Sequence, residues 1–134
     1  MIHPGNRTTD WMLLGLRLAF GCQMLAFHGW GKATKLLTGD PTAFADPFGW
    51  GPVPSLVLTV FAEGLCALLL ILGLFTRWAA VPLIITMLVA VFIIHQGDPW
   101  GDRELGLLYL AGYLAIAVFG PGRYSLDEQW RGRS

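Results

Sequence analysis

Residues 11–33, WMLLGLRLAFGCQMLAFHGWGKA, decide the fold. The stretch is long and apolar enough to cross a bilayer, since a spanning helix needs about twenty residues at about 1.5 Å rise each. It also carries Arg17, His28 and Lys32. A charge near the bilayer centre costs about 2.5 kcal/mol or more, so such a helix needs partners. At 3.6 residues per turn Arg17, Gly21, Met24, His28 and Lys32 share one face. That stripe is expected to point into a bundle and not into lipid.

The rest of the chain agrees. Of 134 residues 54% are apolar and 13% charged, against about 45–50% and about 25% in soluble domains. The apolar residues come in long runs separated by short polar clusters, the pattern of an integral membrane protein. Net charge is zero, so nothing argues for nucleic acid as a partner. The first run is longer than a signal-peptide core, is interrupted by Arg17 and lacks an A-x-A-like site, so it is read as retained.

Thr8-Thr9-Asp10 supplies capping residue types before the first span. Residues 38–54 are rich in Gly, Pro and Asp and carry Phe44, Phe48 and Trp50. They are expected to form a loop that either anchors in the interface or caps the mouth of the bundle. Glu63 is the one charge in the second span, and the short link Gly73-Leu74-Phe75-Thr76-Arg77 makes the second and third spans antiparallel neighbours. Gly120-Pro121-Gly122 stops the fourth span and leaves a polar tail. The expectation is all-α: a single domain over 1–134, an integral membrane four-helix bundle running up-down-up-down, with spans at about 11–33, 54–75, 78–95 and 104–119. Arg7, Arg77, Arg123, Arg131 and Arg133 then share one side against Lys35 and Arg103, which places both termini in the cytoplasm.

Counted by depth, His28, Lys32, His95 and Glu104 lie near the outer end and Glu63 near the midplane, with Arg17 able to reach toward Glu63. Two readings are open. In one, Arg17 or His28 pairs with Glu63 and fixes helix register. In the other, His28, Lys32, Glu63, His95 and Glu104, joined by Tyr109 and Tyr113, line a pocket for a ligand with polar oxygens such as a quinone, or relay protons. Nothing in the spacing requires a metal, and the charges beside His28 and His95 argue for ion pairing over haem ligation. Cys22 and Cys66 are read as small packing residues. Gly106, Ala111, Gly112 and Ala115 offer a close-packing face, within the bundle or between copies in a homo-oligomer.

The chain resembles the DoxX-like membrane proteins. The matching pieces are Arg17-Leu18, then Phe27-His28-Gly29-Trp30-Gly31-Lys32, Glu63, Gly73-Leu74-Phe75-Thr76-Arg77, and Gly120-Pro121-Gly122-Arg123-Tyr124-Ser125-Leu126-Asp127. The combination is specific where each piece alone is weak. The resemblance implies a four-helix membrane bundle in a bacterial cytoplasmic membrane. The family takes its name from a subunit of an archaeal thiosulfate:quinone oxidoreductase, and relatives are connected with redox complexes and with thiol or oxidative-stress systems. No flavin or nicotinamide fingerprint is present. A redox role would therefore be that of a quinone-binding or anchoring subunit with a protein partner, and no residue is assigned to catalysis. A non-catalytic scaffold or assembly protein is the alternative, and small-ion or metal transport the third reading.

Overall fold

The computed structural model describes residues 6–131. Helix α1, Arg7–Thr38, starts where the Asn6 side chain accepts a hydrogen bond from the Thr8 N–H at 3.1 Å. A single polar side chain thus satisfies one of the orphan donors of the first turn. The helix extends beyond both ends of the expected span and widens to π geometry at Leu25–Gly29. A 3-10 turn at Pro41–Ala43 lies in the loop after it.

Helix α2, Pro52–Leu72, opens on a proline, whose missing N–H is unneeded there, and contains a π segment at Phe61–Cys66. It stops three residues before the expected end because Gly73 takes a left-handed conformation with φ 71°. Helix α3, Thr76–Ile94, begins immediately afterwards and closes in a third π segment, Ala90–Ile94. A 3-10 turn, Trp100–Arg103, leads into α4, Glu104–Phe119, and the tail ends in the short α5, Leu126–Arg131. No strand occurs among the described residues.

Three helices, α1, α2 and α3, are long and apolar enough to cross a membrane. The 16 residues of α4 span about 24 Å, less than the roughly 30 Å of a hydrocarbon core. Met24 of α1, Cys66 and Leu70 of α2, Ala80 and Leu83 of α3, and Tyr113 and Ile116 of α4 meet in one buried core. Large apolar side chains also cover much of the outer surface of the helices. Phe27, Leu37, Trp78 and Val118 all stand exposed, an arrangement that suits lipid and would aggregate in water. Cys22 also turns outward, contrary to its expected packing role, while Cys66 is buried.

Both described ends of the chain meet at one end of the molecule. Asp127 accepts hydrogen bonds from the backbone N–H groups of Phe75 (2.8 Å) and Thr76 (3.0 Å) and from the Thr76 hydroxyl (2.8 Å), and so caps α3. Its own N–H donates to the Gly73 carbonyl at 2.9 Å. Asp10 accepts from the Arg123 N–H at 3.2 Å. The loop 39–51 lies at the other end.

Candidate functional site

The site begins with a backbone approach. Gly29, in the π segment of α1, lies against Glu63, in the π segment of α2: a Cβ on Gly29 would be 2.8 Å from the Glu63 carbonyl carbon and closer still to its oxygen. Only glycine permits this. One turn further along α1, Lys32 is held over the Glu63 carboxylate, with Nζ 2.5 Å from Oε2. The Glu63 side chain is 3% exposed and that of Lys32 29%. Among the described residues the pair uses one ammonium hydrogen and one carboxylate oxygen, leaving two donors on the lysine and Oε1 on the glutamate.

The pair forms one wall of a pocket of about 400 Å³ between α2 and α3. That volume lies in the range of small-molecule sites. The other walls are almost wholly apolar: Phe61 and Ala62 of α2, and Pro82, Ile85, Val89 and Ile94 of α3, with the hydroxyls of Ser55, Thr59 and Thr86. Phe44, Phe48 and Trp50 close it from the loop, the last two rings 5.0 Å apart. The loop is tied to α2 through the Ser55 hydroxyl, which donates to the Gly51 carbonyl at 2.9 Å. At its start Asp40 accepts from both the hydroxyl and the N–H of Thr42, and these two bonds hold its carboxyl below the ordinary carboxylate range. Leu58 and Ile85, about half exposed, flank an opening toward the apolar outer surface.

Of the polar residues expected in one cluster only Lys32 and Glu63 line the pocket, although Tyr109 and Tyr113 lie close enough to feel the Glu63 charge. Lys32 and Glu63 make the pocket wall. His28, Tyr109 and Tyr113 stand in an aromatic column within the core: His28 meets Tyr109 edge-on at 5.7 Å, Tyr109 stacks on Tyr113 at 5.9 Å, and Phe20 packs on both tyrosines. His95 is at the surface, where Nδ1 bonds Asp98 at 3.0 Å, and Glu104 is exposed at the start of α4. Depth along a helix, which the sequence supplies, leaves open the direction in which a residue points around it.

The expected Arg17–Glu63 ion pair is likewise corrected. Arg17 is buried, but its guanidinium turns to the opposite end of the molecule, where Nη1 donates to the Leu70 and Ile71 carbonyls at 3.4 Å and Nη2 donates to the Tyr124 carbonyl. These carbonyls end α2 and begin the tail, so a cation there is favoured by the helix dipole as well as by the hydrogen bonds. Glu63 takes Lys32 because Gly29 brings that turn of α1 into reach.

Two features are missed by sequence reasoning. The pocket hydroxyls Ser55, Thr59 and Thr86 look like ordinary helix residues. The tail reads as a mere polar extension, although Ser125 and Glu128 have the spacing of a capping box; the Ser125 hydroxyl does accept from the Glu128 N–H at 3.2 Å. The loop aromatics allow two readings in the sequence, and their rings lie on the pocket.

The family model described as DoxX matches residues 12–96, a stretch that contains Lys32, Glu63 and every residue lining the pocket. A protein of Haemophilus influenzae, described only as uncharacterized, is 32% identical over 117 residues, 80% of this chain and 82% of that one. No solved structure matches the chain.

Proposed function

The chain belongs to the DoxX family, and from that premise we propose that it is a membrane-embedded subunit of a redox complex that takes a quinone headgroup in the pocket beside Lys32 and Glu63. The observation that carries this reading is a half-buried ion pair with, among the described residues, unused donors and an unused acceptor, set into a wall that is otherwise mostly apolar. A quinone needs that combination. Its carbonyl accepts a hydrogen bond from the Lys32 ammonium, its ring lies among Phe48, Trp50 and Phe61, and its isoprenoid tail leaves between Leu58 and Ile85 into lipid. When a partner oxidoreductase delivers two electrons, two protons convert the carbonyls to hydroxyls. Lys32 is placed to pass one proton to the nearer oxygen and, being partly exposed, to regain it from water, with the Glu63 carboxylate holding the ammonium in position; the far oxygen takes the second proton from water.

In this arrangement α4 is the fourth span, the helices run up-down-up-down as an antiparallel four-helix bundle, and the end bearing Arg7, Arg77, Arg123 and Arg131 faces the cytoplasm of a bacterial cell. The loop end with its pocket faces outward. A protein partner supplies the electrons, since this chain carries no flavin or nicotinamide motif.

The test is quinone binding by the full chain in lipid nanodiscs, followed by extraction and mass spectrometry. The wild type is expected to retain quinone, and Lys32→Met to lose most of it while remaining monodisperse. Folded wild type that binds neither benzoquinone- nor naphthoquinone-type lipids would leave the pair as a fastening between α1 and α2, the scaffold reading.

A further inference from the structure

Gln23 stands in the wrong solvent. It lies at the centre of α1, Arg7–Thr38, about 18 Å along the axis from Trp11 and about 13 Å from Lys32 at 1.5 Å per residue. A hydrocarbon core extends about 15 Å on either side of its midplane, and a glutamine side chain is too short to reach the headgroups from there. Its side chain is nonetheless exposed, and no hydrogen bond holds its amide among the described residues. Water is absent at that depth, and lipid tails offer no partner, so an amide left in this place is costly.

The surface around Gln23 is unlike the rest of the lipid-facing exterior. At about 100° per residue Gly15, Ala19, Cys22 and Ala26 fall in one arc, opposite the buried Leu13, Arg17 and Met24, and all four are exposed. The middle turns of α2 and α3 instead turn large side chains outward, Leu65 and Leu68 on the one and Ile85 and Leu88 on the other. The close-packing face expected from the sequence is used inside the bundle: a Cβ would stand 2.7 Å from a Val91 methyl at Gly106 and 2.6 Å from the Phe20 ring at Gly112.

We propose that this face of α1 is the interface between two copies of the chain. An amide carries both donors and an acceptor, so across a two-fold axis the Gln23 N–H of each copy donates to the Gln23 carbonyl of the other, and the same residue satisfies both sides. Gly15, Ala19, Cys22 and Ala26 let the two helices approach closely enough for that exchange. None of these residues lines the quinone pocket, so either proposal stands or falls without the other.

The test is Förster transfer between donor- and acceptor-labelled full chains in proteoliposomes of rising lipid-to-protein ratio, joined by oxidative cross-linking of the unlabelled chain in native membranes. The wild type is expected to dimerise and to form a disulfide between two Cys22 residues, which Cys22→Ser abolishes because Cys66 is buried. Gln23→Leu is expected to weaken the dimer about tenfold, the size of an interhelical hydrogen-bonded pair in a membrane. Gly15→Leu is expected to abolish the dimer and leave the single chain folded, since a Cβ at Gly15 meets nothing within 4 Å. A chain that stays monomeric at every ratio overturns the proposal, as does a dimer that neither Gln23→Leu nor Gly15→Leu weakens. A Cys22 cross-link to a different protein, with none to a second copy, overturns the second copy as the occupant.

Discussion

Gly29 and Glu63 touch backbone to backbone, with 2.8 Å between the place of a Gly29 Cβ and the Glu63 carbonyl carbon, and this contact sets Lys32 on the Glu63 carboxylate one turn later. Gly29→Ala is therefore expected to push α1 away from α2. The obstacle is main chain and cannot rotate aside, so the loss should be about 1–3 kcal/mol. Thermal unfolding in detergent checks it, and Gly31→Ala, which has open space around it, serves as the neutral comparison.

Lys32 and Glu63 should behave as a coupled pair. Lys32→Met leaves a buried carboxylate alone and should destabilise by up to about 3 kcal/mol, reduced because the lysine is partly exposed. Adding Glu63→Gln to Lys32→Met should recover part of that stability, since the buried charge is gone. A double-mutant cycle on unfolding midpoints measures the coupling, and simple additivity would mean that the pair carries none.

Ile85 flanks the opening of the pocket and is 54% exposed. Ile85→Trp should narrow the opening without disturbing the core, lowering quinone retention while leaving the unfolding temperature nearly unchanged. Equal retention by this variant and the wild type would mean that the ligand enters elsewhere.

Arg17 binds the end of α2 to the tail. Arg17→Ala should cost about 1.5–3 kcal/mol and expose residues 121–131 to protease. Arg17→Lys should restore little, because an ammonium lacks the planar fork that serves carbonyls on two segments. Limited proteolysis with mass mapping of the tail reads both.

Asp40 is held in its ionised form by Thr42, so its carboxyl titrates below the ordinary range. The two bonds favour the charged state, so by linkage their contribution is fully present above the ordinary carboxylate range and is lost as pH falls through the lowered value. Thr42→Val removes the hydroxyl donor and should move the Asp40 titration back up, which NMR of the carboxyl carbon would track.

Much of the site was within reach of the sequence. Glu63 stands out because a lone carboxylate inside an apolar run must find a partner, and Lys32 shares a helical face with the other polar groups of α1. Which cation Glu63 takes was not accessible, and neither was the separation of His28, Tyr109 and Tyr113 from the pocket. Leu25–Gly29 and Phe61–Cys66 are the reason. A π turn carries an extra residue, which rotates the later turns of the helix by roughly 100° relative to the 3.6-residue pattern. The face count from Arg17 to Lys32 runs through one such turn.

The sequence by itself determined that this protein is helical, that its helices are made for lipid, and that polar residues at particular depths must be sheltered. Those properties are local, being sums over a window of residues and their spacing along one axis. Tertiary structure alone decided that Lys32 meets Glu63, that Arg17 closes the opposite end over the tail, and that Phe48 and Trp50 lie on the pocket. Those outcomes depend on how closely two backbones approach and how each helix is rotated when they do, and Gly29 and the π segments set both.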